Sequence, residues 1–211
     1  MITDTPVPSV TATPFVSGVP CATDDPSNEH VQRSDRNGWD ENGRDNHNEF
    51  ETGNGTNSAI VHNCTDNRLR VRASIQLNTI PGQVVDPLNQ AYAESTCTGC
   101  STLAVALQID LYSSDRAVDI QPQNYAVAVN TACTGCVTVA DAYQYVEGEQ
   151  DPREVSRDIS DTIDQLGDEL AAIQNDPTVT LPVAEARINN VIARFETLGG
   201  TLNQQRDEHD D

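Results

Sequence analysis

The chain contains no lysine. Its 12 basic side chains, in 211 residues, are all arginine and face 33 acidic ones, for a formal net charge of -21. Lysine carries a long, flexible, strongly hydrated ammonium, the group a protein would shed to stay soluble and ordered at low water activity. Dense aspartate with arginine-only basicity therefore reads as halophilic. The same charge repels phosphate backbones and anionic lipids, which argues against nucleic acid and plain membrane surfaces as partners. Aromatic residues make up 4% of the chain and hydrophobic residues 36%. So little apolar side chain supports one modest domain with loose ends. No window of eighteen apolar residues exists, so no membrane span is expected. The opening MITDTPVPSVTATPF has neither basic residues nor a continuous apolar core, and a standard secretory signal is not expected there.

Catalytic patterns are missing too. No His-Glu-x-x-His, phosphate loop or nucleophile elbow occurs. His30, His47, His62 and His209 lie in polar or terminal stretches without metal-ligand spacing. Asp40, Asn42, Gly43, Asp45 and Glu49 do not match the alternation of a calcium loop. The chain is expected not to be an enzyme and to need no cofactor, with zinc as the one alternative.

What the sequence does have is repetition. STCTGCSTLAVALQ, beginning at Ser95, returns as TACTGCVTVADAYQ, beginning at Thr131. Around the first copy, Asn89, Ala91 and Ala93 lead to Cys97, and then Thr102, Ala104, Ala106 and Gln108 alternate with Leu103, Val105, Leu107 and Ile109. Around the second, Asn124, Ala126, Ala128 and Asn130 share one face, and Thr138, Ala140, Ala142 and Gln144 continue it opposite Val137, Val139, Tyr143 and Tyr145. Period two of this kind predicts strands. A degenerate third copy lies upstream, where Asn57, Ala59, Val61 and Asn63 precede Cys64 and Leu69, Val71, Ala73 and Ile75 alternate with Arg70, Arg72, Ser74 and Gln76. Each Cys-Thr-Gly-Cys joins two strands as a hairpin or a tight arch, its glycine supplying the left-handed backbone a short turn needs.

Residues 1–54, rich in Pro, Asn and Asp, cannot bury enough surface to offset ordering entropy and read as a flexible acidic arm. Residues 55–148 form the β-repeat domain. Residues 149–200 switch to helical spacing. Val155, Ile159, Ile163, Leu166, Leu170 and Ile173 make one stripe between Pro152 and Asn175. Val183, Ala186, Ile188, Val191, Ile192 and Phe195 make another that is expected to stop at Gly199-Gly200. Residues 201–211 read as a solvated tail. The fold class is thus mainly β with α: three strand-turn-strand repeats, as stacked hairpins, a sandwich or a solenoid, plus a C-terminal antiparallel helical hairpin.

The order Val84-Val85-Asp86-Pro87, Asn-x-Ala-x-Ala, Cys-Thr-x-Cys, Thr-x-Ala-x-Ala-x-Gln and then a helix pair resembles the C-terminal region of actinobacterial proteins labelled peptide zinc metalloproteases. The resemblance covers Asn57 to Gly199. It implies a repeat module without a catalytic site, because the protease motif and the membrane-embedded portion are absent; the first 54 residues have no counterpart in it.

Three arrangements compete for Cys97, Cys100, Cys133 and Cys136. Disulfides within each tetrapeptide need α-carbons about 5.5 Å apart, which a four-residue turn supplies. A tetrahedral zinc site would use all four thiolates. A thioredoxin-type redox pair would need a helix N-terminus, where both flanks here read as strand. Cys21 and Cys64 are candidates for a further disulfide. The recurring small faces, Asn89, Ala91, Ala93, Thr102, Ala104, Ala106 and Gln108 with their later equivalents, let sheets or chains approach closely. The functional expectation is a non-catalytic structural or assembly protein, forming homo-oligomers or filaments at a cell surface or in a virion. Its alternatives are an intracellular zinc-stabilised interaction module whose helical hairpin docks a partner, or an accessory protein of a peptide-processing system. An extracellular or virion setting is favoured over the cytoplasm.

Overall fold

A computed structural model describes residues 55–209; the arm expected over residues 1–54 lies outside the described residues. The strands are β1 (Thr56–Asn63), β2 (Leu69–Ile80), β3 (Val84–Val85), β4 (Leu88–Ser95), β5 (Ser101–Ser113), β6 (Asp119–Ile120), β7 (Gln123–Asn130) and β8 (Val137–Glu149), followed by α1 (Pro152–Gln174) and α2 (Leu181–His209).

Among the described residues, no strand pairs with its neighbour in sequence. Three parallel sheets form instead, in the orders β1-β4-β7, β2-β5-β8 and β3-β6. The chain therefore climbs as a solenoid of three rungs, and each Cys-Thr-Gly-Cys is an arch between two sheets; the hairpin alternative is set aside. Register is strict, with Asn57 beside Asn89 beside Asn124 and Gln76 beside Gln108 beside Gln144. Corners absorb the length differences between rungs. Arch residues 131–136 outnumber residues 96–100 and 64–68 by one, and the extra residue is taken up where Ala132 adopts a φ of 51°.

Side-chain size decides which sheet face goes where. The small faces of the two long sheets meet inside the solenoid in an alanine layer of Ala59, Ala91, Ala93, Ala104 and Ala106. The large faces of β2, β5 and β8 point the other way and bury Ile75, Leu77, Leu103, Val105, Leu107, Ile109 and Leu111 beneath the helices. Burying a leucine-sized side chain is worth about 1.5–3 kcal/mol, so this outer layer, and not the alanine interior, supplies most of the hydrophobic stabilisation.

Asp151 caps α1, its Oδ1 accepting from the backbone N–H of Arg153 at 3.1 Å and of Glu154 at 3.3 Å. The α1 stripe buries Ile159, Ile163, Leu166, Leu170 and Ile173 as its spacing predicts. In α2 the buried positions up to residue 202 are Ala184, Ile188, Val191, Ile192, Phe195, Gly199 and Leu202, while Val183 is exposed and Ala186 lies on the solvent side. The expected stop at Gly199-Gly200 does not occur: α2 runs on to His209, with Leu202 buried. Gly199 serves a different purpose: a Cβ there would lie 2.4 Å from the ring of Tyr145, so glycine admits the close approach of helix to sheet.

Candidate functional site

The cysteine corner is built by the arches. Each has a left-handed residue just before its last stretch, Asn67 at φ 56°, Gly99 at 65° and Gly135 at 68°, and the longer third arch has Ala132 as a second. That geometry turns the chain between sheets and explains both the glycines and the asparagine that stands in for them. The arches stack as the strands do. Thr98 bridges Thr134 in parallel, the Gly99 N–H donates to Thr134 O at 2.8 Å, the Val137 N–H to Cys100 O at 3.0 Å, and the Asn67 N–H to Thr98 O at 2.9 Å. Asp66 ties the first arch to the second by accepting from the Thr98 N–H at 2.7 Å.

Stacking places the four cysteines in two layers. Disulfides close within each arch, Cys97–Cys100 with α-carbons 6.0 Å apart and Cys133–Cys136 with 6.1 Å. The two disulfides touch, since Cys100 Sγ and Cys136 Sγ are 3.3 Å apart. The sulfurs of Cys97, Cys100 and Cys136 all lie within 4.8 Å of one another. Cys97 and Cys100 are buried; Cys133 and Cys136 are half-exposed in the last layer. Strands flank both arches, so neither cysteine pair has the helix N-terminus that depresses a redox thiol. Cys64 is disulfide-bonded as well; Cys21, its expected partner, lies outside the described residues. Register puts Cys64 opposite Thr96 and not opposite Cys97, one step away from the later first cysteines.

The small faces proposed for assembly lie between the sheets of a single chain. Asn89, Ala91, Ala93, Thr102, Ala104, Ala106 and Gln108 are all buried. Here they hold rungs together. Asn57 donates from Nδ2 to Asn89 Oδ1 at 2.8 Å, and Asn89 in turn to Asn124 Oδ1 at 2.9 Å. Each also reaches a carbonyl of the next rung, Asn57 to Leu107 O at 3.0 Å and Asn89 to Tyr143 O at 3.0 Å. Ser95 Oγ lies 2.6 Å from Thr102 Oγ1 and 2.7 Å from Thr138 Oγ1, a hydroxyl ladder beside the amide one. Buried polar groups are thus satisfied by stacking, which resists slippage between rungs.

The last rung differs. Its Asn124, Ala126, Ala128 and Asn130 are exposed and Thr138, Ala140, Ala142 and Gln144 half-buried, although their equivalents one rung earlier are closed off. Asn124 donates to Ala142 O in its own rung at 3.0 Å, with no further described rung to receive the next bond. At the opposite end of the stack, Arg70 and Arg72 occupy the inward positions taken by Thr102 and Ala104 in the second rung.

Two clusters escaped sequence reasoning. Asp110 is fully buried in the solenoid, accepting at Oδ1 from Asn78 at 2.7 Å and Gln108 at 3.1 Å, and at Oδ2 from Gln144 at 3.0 Å. Burial pushes its carboxyl up to about 7 against the opposing pull of those hydrogen bonds. The parity Thr102, Ala104, Ala106, Gln108 was the available signal, for its next member is Asp110. On the outer face of the first sheet, His62 Nδ1 lies 3.1 Å from Glu94 Oε2, Tyr92 donates to the same oxygen at 3.0 Å, and Thr131 donates to Oε1 at 3.2 Å. Burial, then the Glu94 hydrogen bond and charge, raise the Tyr92 hydroxyl above its ordinary range. Only the pairing of β1 with β4 brings His62 to Glu94, so no sequence spacing announced it.

No family model, no curated protein and no solved structure matches the chain. The resemblance to the actinobacterial regions therefore rests on its motifs alone. Among the described residues, no helix is long and apolar enough to cross a membrane.

Proposed function

We propose that the protein is a non-catalytic assembly module of a salt-adapted source, acting at a cell surface or in a particle, and that it self-associates through the open end of its solenoid. One observation carries this reading: the third rung is built like the rungs beneath it, yet among the described residues nothing covers it, which leaves β7 and β8 as edges with small inward side chains exposed between them. Such an edge is a template for another strand pair. The interface would add strands to the open edges of both long sheets.

A second copy is the fitting occupant. Arg70 and Arg72 at the inward positions of the first rung do not match the small third rung, so the two ends are poor complements and head-to-tail stacking is disfavoured. Two third rungs facing each other give an isologous, closed dimer. The apolar stripes of α1 and α2 are occupied by the β2-β5-β8 sheet, which leaves the solenoid end as the better docking surface. A charge of -21 on each copy opposes this union unless salt screens it; at about 1 M the screening length falls to about 3 Å.

Light scattering across protein concentration, in dilute and in molar salt, tests the reading. Dimer favoured by high salt is expected, with Ala128→Arg and Ala140→Arg, which place charge on the open rung, returning it to monomer. A wild-type chain that stays monomeric at every concentration in molar salt overturns it.

A further inference from the structure

The cysteine corner holds more sulfur chemistry than two turn-locking disulfides require. A disulfide across a four-residue turn removes little unfolded-state entropy, so stability alone is a weak reason for two of them. Their placement is more informative. Ser101 sits beside Val137 and Thr98 beside Thr134, so Cys100 and Cys97 each face a cysteine of the next arch. A two-by-two array of sulfurs results, held in its layers by the backbone hydrogen bonds between the arches.

We propose that this corner has a second, reduced state in which Cys97, Cys100, Cys133 and Cys136 hold one zinc-class cation as thiolates. Zinc bound at about 2.3 Å by four sulfurs keeps them about 3.8 Å apart. Cys100 and Cys136 sulfurs stand 3.3 Å apart, and those of Cys97, Cys100 and Cys136 lie within 4.8 Å. Three ligands therefore need only small side-chain rotations. Cys133, released from Cys136, supplies the fourth from a half-exposed position in the last layer, where the cation can enter. The chain's net charge of -21 favours a dication over an anion.

The conversion balances with a dithiol as reductant. Each disulfide accepts two electrons and two protons from one dithiol, which closes to its own disulfide, and the four thiols formed release up to four protons as they bind the cation. Disulfide and metal thus exclude one another as staples of the same corner. This inference does not depend on the dimer proposed above.

The test uses the full chain with Cys21→Ser and Cys64→Ser, so that no other thiols compete. After reduction with a dithiol and its removal without air, Co2+ is titrated and displaced by Zn2+. One equivalent of Co2+ per chain is expected, with the thiolate charge-transfer and d–d bands of tetrahedral coordination, bleached by Zn2+. Cys136→Ser should lose those bands, and Cys136→His should keep binding with a shifted spectrum, which separates a lost ligand from a lost fold. Absence of tetrahedral bands, bands unchanged by both substitutions, or a reduced chain that unfolds by circular dichroism and is not restored by the cation would each overturn the proposal.

Discussion

Asp110 makes stability depend on pH in the direction opposite to most carboxylates. Its folded-state value of about 7 lies above the 3.8 of the unfolded chain, so between these values the native state holds a proton that the unfolded state has lost. Stability from this group is full below about pH 4, falls as pH rises toward 7 and is flat above it. The span corresponds to about 4 kcal/mol. Asp110→Asn removes the titration and keeps the shape. The new amide oxygen can still accept from Asn78 and Gln108, while Gln144 must turn its amide to meet the new N–H donor. Urea unfolding of both proteins at about pH 4 and about pH 8, in the same molar salt, isolates the effect because the other acidic groups are common to both. The difference in stability should shift toward the variant by about 4 kcal/mol from the lower pH to the higher. Parallel pH profiles for the two proteins would refute the assignment of a buried, proton-holding carboxyl.

Three further outcomes follow from the packing. Gly199→Ala drives a methyl into the Tyr145 ring and should lower stability by about 1–3 kcal/mol, read from the thermal midpoint; an unchanged midpoint would mean helix and sheet do not approach so closely. Gly99→Ala and Gly135→Ala both strain a left-handed residue, costing about 1–2 kcal/mol, and Gly99→Ala should cost more because its Cβ would also meet Asn67 Oδ1 at 2.7 Å where Gly135 has open space. Equal denaturant midpoints for the two would contradict that ranking. Asn89→Ala interrupts the amide ladder from both sides and should cost about 2–3 kcal/mol, against about 1 for Asn124→Ala at the exposed end. A larger loss at Asn124 in dilute protein would reverse the ladder argument.

Much of this architecture was legible because strands carry a period of two. The alternation around Ala104 and Ala106 identified a small face and a large one, and the repeated Asn and Gln positions fell into register as their spacing implied. What period two cannot say is which partner a face meets. The alanines read as a surface for other chains because nothing in one strand shows that its own chain returns with a matching layer. Gly199 was misleading for a related reason: glycine after an apolar stripe commonly ends a helix, and only the position of Tyr145 shows that a close approach was being served instead. Asp110 and the Glu94 cluster depend on residues more than thirty positions apart, and their environment becomes visible only once the rungs stack.

The helix pair has a consequence for how long the solenoid can be. α1 lies along β2, where its Gln174 Oε1 accepts from the Ala73 N–H at 3.0 Å and a Cβ on its Gly167 would lie 3.2 Å from Ile75. α2 lies over the β8 side, where Phe195 meets Tyr145 at 5.4 Å between ring centroids. Packed helices sit about 8–10 Å apart, and three strands span about 9.6 Å between the outer two. The roof is as wide as three rungs and no wider, so it works as a gauge: a duplication that inserted a fourth rung would bare a strip of leucine and isoleucine to water, and the fold would select against growth that the strand ladders alone would permit.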